Sequence, residues 1–297
     1  MSLTQSLCGI TCPIVTPFDA ETGAVDEDAL ESLLEHLLAG GIDGLFPCGT
    51  TGEFASLSPE ERLRVTKLTV EHADGEVPVL AGAAATSVAE TLSAIEDAAR
   101  VGADAAVVVA PYFHAANDPA GNQRFFEAVA DESSLPLLLY NIPVCTGQEI
   151  APATLAAVAE HETVVGLKDS SGDLEYFLAA MEGTPPEFLL LQGYDSLLVP
   201  ALRMGADGGV NALSNVYPER YGAALEHAAD DRGRRLQSDV LTPLFEACGE
   251  YGFAPATKTA LAHRGVIPTD AVRPPLVSVP EEGRAAIAET VDDAVDG

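Results

Sequence analysis

Only three of the 297 residues are lysines, and one of them, Lys168, ends the apolar run Val164-Val165-Gly166-Leu167. Those side chains predict a buried strand, where an ammonium is costly unless it is paired or neutral. The other two, Lys67 and Lys258, raise no such difficulty in sequence. Two readings account for Lys168. Its head reaches past the strand end to pair with Asp169 or Asp173. Alternatively, desolvation disfavours the ammonium and leaves an amine usable near neutral pH. Such an amine attacks a ketone, and the protonated imine withdraws electrons from the neighbouring carbon, so a carbon–carbon bond can form or break without a metal. Pyridoxal phosphate also uses a lysine imine, but no phosphate-cradling glycine cluster follows the last two predicted strands.

Three more motifs carry chemistry. Tyr140, in Tyr140-Asn141-Ile142-Pro143, ends the strand before that of Lys168, so its hydroxyl can reach an imine there; the alternative is a core aromatic with a satisfied hydroxyl. Gly49-Thr50-Thr51-Gly52-Glu53 offers two hydroxyls and tight backbone that can hold a carboxylate, or is simply a turn. Asp169, Asp173 and the Asp195 of Gly193-Tyr194-Asp195 read as loop-capping or surface acids.

Positioning these groups requires a regular frame. Eight apolar segments, 10–18, 41–49, 78–84, 103–111, 136–143, 164–171, 188–195 and 205–213, read as strands, mostly apolar throughout rather than alternating, as parallel strands covered by helices should be. Helix signals separate them: a capping box with Pro59 at the first helical position (Ser58 to Glu61), a second box (Ser87 and Glu90), and a stripe of Leu30, Leu33, Leu34, Leu37 and Leu38 ending at Gly40-Gly41. Eight such units predict an α/β fold of the (β/α)8 TIM-barrel type with a C-terminal helical extension. The barrel core is assigned to residues 1–216, with its final helix and the extension in 217–297. A doubly wound sheet is the rival, but no Gly-x-Gly-x-x-Gly follows the first strand. A helix pair broken at Pro255 and an extended stretch after Pro274-Pro275 are expected in the extension. In a barrel, chemistry sits at the C-terminal strand ends, where four of the eight segments carry the residues above.

Composition narrows the function. Acids outnumber bases 46 to 15, a formal charge of −31, which repels nucleic acid and anionic membrane surfaces. The acids are spread along the helices, which suits a protein kept soluble in concentrated salt and suggests a halophilic source. No run is long and apolar enough to span a membrane and no signal peptide is evident, so a cytoplasmic protein is expected. The five cysteines are odd in number and lack zinc-like spacing, and the six histidines are scattered, so no metal site is expected.

Taken in order, "PIVTPF" (13–18), "GTTGEFASLSPEER" (49–62), "APYF" (110–113), "YNIPVCTG" (140–147), "GLKDSSGD" (166–173) and "RPP" (273–275) resemble the pyruvate-dependent class I aldolases related to dihydrodipicolinate synthase and N-acetylneuraminate lyase. The likeness runs from about Gly9 to Pro275. It implies that Lys168 is the Schiff-base lysine, Tyr140 the proton shuttle, and Thr50 and Thr51 the neighbours of the pyruvate carboxylate. It further implies that Ser170, Gly193, Asp195 and Val210 line the substrate channel, that no cofactor is needed, and that the enzyme is a homotetramer.

The departures select among members. The synthases carry an arginine where this chain has Cys145, and a second tyrosine, lent by a neighbouring subunit, where it has Phe113. The lyases read Tyr-Tyr where it has Tyr140-Asn141. "YNIPVCTGQEI" looks more like archaeal 2-keto-3-deoxygluconate aldolases, so the expected reaction is cleavage of that acid, or its 6-phosphate, to pyruvate and an aldehyde. Phosphate-holding arginines are not evident, although His114 and Arg124 are nearby. The alternatives are 4-hydroxy-tetrahydrodipicolinate synthase, then N-acetylneuraminate lyase, or a non-catalytic barrel that binds a keto acid, which Phe113 favours and the retained Lys168, Tyr140, Thr50 and Thr51 disfavour.

Overall fold

A computed structural model describes residues 3–296. Its eight strands are β1 (Ile10–Cys12), β2 (Gly44–Leu45), β3 (Leu80–Gly82), β4 (Ala105–Val109), β5 (Leu137–Asn141), β6 (Val164–Asp169), β7 (Leu189–Gln192) and β8 (Gly208–Val210). All pair in parallel, in the order β2-β1-β8-β7-β6-β5-β4-β3. A parallel bridge between Leu45 and Val79, with the Leu45 N–H donating to the Pro78 carbonyl at 3.0 Å, brings the two ends together and makes the sheet a TIM barrel. Each strand lies within the segment expected of it but is shorter, because the ends of the apolar runs have already left the ladder for the loops.

Successive strand residues point to opposite faces, and here both faces are buried. Val107, Leu138, Tyr140, Leu191 and Val210 pack in the barrel interior. Their neighbours Val108, Leu139, Leu167 and Leu190 pack outward against helix residues such as Phe126 and Phe177. Apolar runs therefore replace alternation.

The capping box at Ser58 is fully formed: Ser58 Oγ accepts from the Glu61 N–H, and Glu61 Oε2 accepts from the Ser58 N–H, opening the helix Pro59–Ala73. The Ser87 box is half formed. Ser87 Oγ accepts from the Glu90 N–H, but the Glu90 carboxylate turns to the hydroxyls of Thr86 and Ser87 instead of the backbone. The leucine stripe lies in the helix Glu27–Ala39, with Leu30, Leu33, Leu34 and Leu37 buried and Gly41 left-handed just beyond.

After β8 come the helices Pro218–Glu226, Asp231–Leu236, Thr242–Gly249, Phe253–His263 and Glu281–Asp296. Leu244, Ile287 and Val291 join the same core as Leu30 and Leu33. The break expected at Pro255 falls instead at Gly252, whose φ of +87° suits glycine. Pro255 sits in the first turn of the next helix, where a missing N–H leaves no bond unmade. The Pro274–Pro275 bond is cis and forms a turn, with the Leu276 N–H donating to the Arg273 carbonyl at 3.0 Å, before residues 276–280 run on without regular structure. Among the described residues, no helix is long and apolar enough to cross a membrane.

Candidate active site

β5 and β6 run side by side in a register that sets Tyr140 opposite Lys168 and Asn141 opposite Asp169. Strand alternation then separates the pairs. Tyr140 and Lys168 face the interior, and Lys168 Nζ lies 4.0 Å from the centroid of the Tyr140 ring and 5.2 Å from that of Phe46. Asn141 and Asp169 face outward, where Asn141 Nδ2 donates to Asp169 Oδ1 at 2.8 Å.

The ion pair considered for Lys168 does not form. Asp169 accepts from Asn141 and from both the N–H and the hydroxyl of Ser171, and Asp173 caps the helix Leu174–Gly183 by accepting from Glu175 and Tyr176 N–H groups. Asp173, expected to be a loop-capping or surface acid, is thus an exposed helix N-cap. Asp169 and Asp195 are not surface acids: both are buried, which raises their carboxyl pKa values, that of Asp169 to about 6. Asp195 accepts from the Tyr221 hydroxyl at 2.5 Å and from the Leu213 N–H at 3.1 Å.

Lys168 and Tyr140 open onto a cavity of about 280 Å³ at the C-terminal rim. Thr50 and Thr51 line it from the turn after β2, Ser170 from the loop after β6, Gly193 and Asp195 from the loop after β7, and Val210 from the end of β8. Residues up to 160 positions apart in the chain therefore meet at one place, as strand ends in a barrel must. Gly193 is the residue that fits there: a Cβ would lie 2.2 Å from Ser170 Oγ and 2.9 Å from Lys168 Cε. Ser170 Oγ is buried with no protein partner among the described residues, so it is free to bond a substrate hydroxyl or carbonyl. A larger cleft of about 430 Å³ lies outside the barrel, beside Arg62, Glu90 and Tyr112, and contains none of these groups.

The outer part of the cavity was not legible in the sequence. Phe253 and Pro255, near the start of a C-terminal helix, and Leu276, after the proline turn, form a wall together with Phe245 and Tyr194. The rings of Tyr194 and Phe245 lie 4.6 Å apart and those of Phe245 and Phe253 5.0 Å apart. Their aromatic types were visible, but nothing local says that helices beyond the barrel return over its mouth. Cys145 lines the cavity, whereas His114 and Arg124 are exposed and do not. Among the described lining residues Lys168 is the one cation, and no group of three His, Cys, Asp or Glu is placed to hold a metal ion.

Lys258 needs as much explanation as Lys168, contrary to expectation. It is fully buried, donates to Glu53 Oε1 and to the Ala271 carbonyl (2.9 Å), and desolvation lowers its ammonium to about 8 despite the Glu53 carboxylate.

The dihydrodipicolinate synthetase family matches residues 6–294. The chain belongs to that family. As a member it is a pyruvate-dependent carbon–carbon lyase. Among similar proteins of the family, an uncharacterized DapA-like lyase of Halobacterium salinarum is 37% identical over 97% of this chain and 94% of that protein. The structure of the 4-hydroxy-tetrahydrodipicolinate synthase of Methylacidiphilum fumariolicum SolV is 33% identical, with a TM-score of 0.92 over 97% of this chain and 96% of that one. YagE, a prophage protein of E. coli K12 in complex with pyruvate, is 30% identical, with a TM-score of 0.90 over 97% and 98% of the two chains.

Proposed function

We propose that Lys168 forms an imine with the keto group of a 2-keto-3-deoxy sugar acid, 2-keto-3-deoxygluconate in the first place, and releases pyruvate and an aldehyde. Lys168 Nζ adds to C2, and loss of water gives the iminium. Tyr140 takes the proton of the C4 hydroxyl as the C3–C4 bond breaks, and the electron pair of that bond passes into the iminium to leave an enamine. The aldehyde departs, C3 is protonated, and water hydrolyses the imine to free pyruvate and the amine. Thr50 and Thr51 hold the carboxylate.

The observation that carries the choice of substrate is the absence of a second cation: among the described lining residues, Lys168 alone is basic, and Cys145 stands where the synthases use arginine. A substrate with another carboxylate or a phosphate would bury that charge unpaired. A polyol has partners in the Ser170 hydroxyl and Asp195 carboxylate, while its C–H face can lie against Tyr194 and Phe245. This favours the free acid over its 6-phosphate. The second reading is 4-hydroxy-tetrahydrodipicolinate synthase, which the named activity of the Methylacidiphilum protein favours.

Borohydride trapping with pyruvate should add mass to the peptide containing residues 164–173; label on Lys67 or Lys258, or none, removes the mechanism. On the same sample, kcat/KM for cleavage of 2-keto-3-deoxygluconate should exceed that for condensation with aspartate semialdehyde by about 100-fold, roughly 2.7 kcal/mol of transition-state binding. Equal or better use of the semialdehyde would establish the synthase reading. We further propose a homotetramer. Phe113 is 91% exposed at a left-handed φ of +76°, an apolar side chain held outward at a conformational cost that a second copy covering it would offset. The molar mass by light scattering tests this.

A further inference from the structure

Glu53 closes the turn that carries Thr50 and Thr51, at a left-handed φ of +55°, and its N–H donates to the Thr50 carbonyl at 3.1 Å. Its conformation and the placement of Thr50 are therefore one structure. The side chain holds that conformation from below. Oε1 accepts from Lys258 Nζ, and Oε2 accepts from the Arg273 N–H at 3.2 Å. Lys258 Nζ also lies 4.0 Å from the centroid of the Phe18 ring, over which the Arg273 guanidinium packs at 4.4 Å.

Neither charged side chain reaches solvent, both being 0% exposed. A pair desolvated to that degree gains little over an apolar pair of the same shape, so stability alone is a weak reason for it. Its location supplies another. Lys258 stands one turn beyond Pro255 on the helix that begins the outer wall of the cavity, and Ala271 and Arg273 lead into Leu276 of the same wall. The Thr50–Thr51 turn and the helix that begins the wall are joined through this pair, while Arg273 ties the segment leading to Leu276 to the same region through the Glu53, Ser56 and Glu61 contacts.

We propose that the Glu53–Lys258 pair is a positioning device that fixes the Thr50–Thr51 turn for the carboxylate of pyruvate and sets its distance from the acceptor wall. The pair touches no substrate atom. The inference rests on the reading that pyruvate forms its imine on Lys168, and the experiment separates the two. In the wild type, the pyruvate concentration giving half-maximal borohydride labelling of Lys168 is measured first; no label there overturns the imine reading, and the role of the pair with it. The double variant Glu53→Gln/Lys258→Met then removes both charges while keeping side-chain volume, so no unpaired charge is left buried. The expected result is a rise of about tenfold or more in half-saturating pyruvate, with the labelling rate at saturation little changed and Tm near that of the wild type. Half-saturation equal to that of the wild type would overturn the proposal and leave the pair a packing feature. Should the double variant fail to fold, Glu53→Gln alone decides, because it keeps the side-chain shape: a several-fold rise in half-saturation supports the pair's role, and no rise overturns it.

Discussion

Asp169 stands one residue beyond Lys168 on β6 and Tyr140 one residue before Asn141 on β5, and strand alternation gives the Tyr140 hydroxyl and the Asp169 carboxyl opposite work. Tyr140 points into the barrel beside Lys168. Tyr140→Phe keeps the ring and deletes the oxygen, so borohydride labelling should persist while cleavage slows by about 100-fold or more, the usual contribution of a positioned proton carrier. A rate near that of the wild type would assign the ring to packing. Asp169 points outward, and burial raises its pKa to about 6, above the value near 3.9 of an unfolded chain. Between those values the native state binds more protons than the unfolded one, so the stability this carboxyl contributes is present below about pH 4 and is lost as pH rises through about 6. The difference is worth up to roughly 3 kcal/mol. Asp169→Asn keeps an acceptor for Asn141 and Ser171 but cannot ionise. Relative to the wild type, it should therefore gain stability as pH rises from 4 to 7 in a series of thermal melts. A variant that loses ground over that range would show that the carboxylate is favoured in the fold.

The helix Pro59–Ala73 follows the Thr50–Thr51 turn after the short 3-10 turn Phe54–Ser56, so its first turn is close in sequence to that lining of the cavity. Ser58 and Glu61 satisfy one another's backbone donors, and Arg273 grips the Glu61 carboxylate with two nitrogens at 2.6 and 2.8 Å, holding its pKa down to about 2. Ser58→Ala removes a cap worth about 1 kcal/mol and should lower Tm by roughly 2–4 °C in a chain of this size. Arg273 still holds Glu61 in that variant, so kcat/KM should stay unchanged. A matching loss of activity would show that the cap itself carries the turn.

Across the whole molecule, a formal charge of −31 sits largely on helix faces turned to solvent, for example at Glu35, Glu71, Glu96, Asp131 and Glu182. Self-repulsion of that size destabilises the compact state until salt screens it, the screening length falling from about 10 Å at 0.1 M to about 3 Å at 1 M. Thermal melts in KCl from 0.1 to 2 M should therefore show Tm rising steeply at first and then levelling. A flat response would mean that ion pairs such as Arg64–Glu27 already neutralise the local field.

The sequence alone determined the eight strands, their apolar faces on both sides, the Ser58 cap and the place of Lys168 and Tyr140 at strand ends, because each rests on a period or a pairing within a few residues. It also carried, through the likeness of its motifs, the residues that line the inner cavity. Which hydrogen bonds Asp169 and Asp195 make, and that both are buried, emerged only in three dimensions, since a one-residue step along a strand exchanges interior for exterior. The aromatic wall and the Glu53–Lys258 pair were wholly a matter of tertiary structure. Lys258 lies 205 residues from its partner on a helix whose sequence looks unremarkable, and only the closing of the barrel and the return of the C-terminal helices across its mouth bring the two charges together out of water.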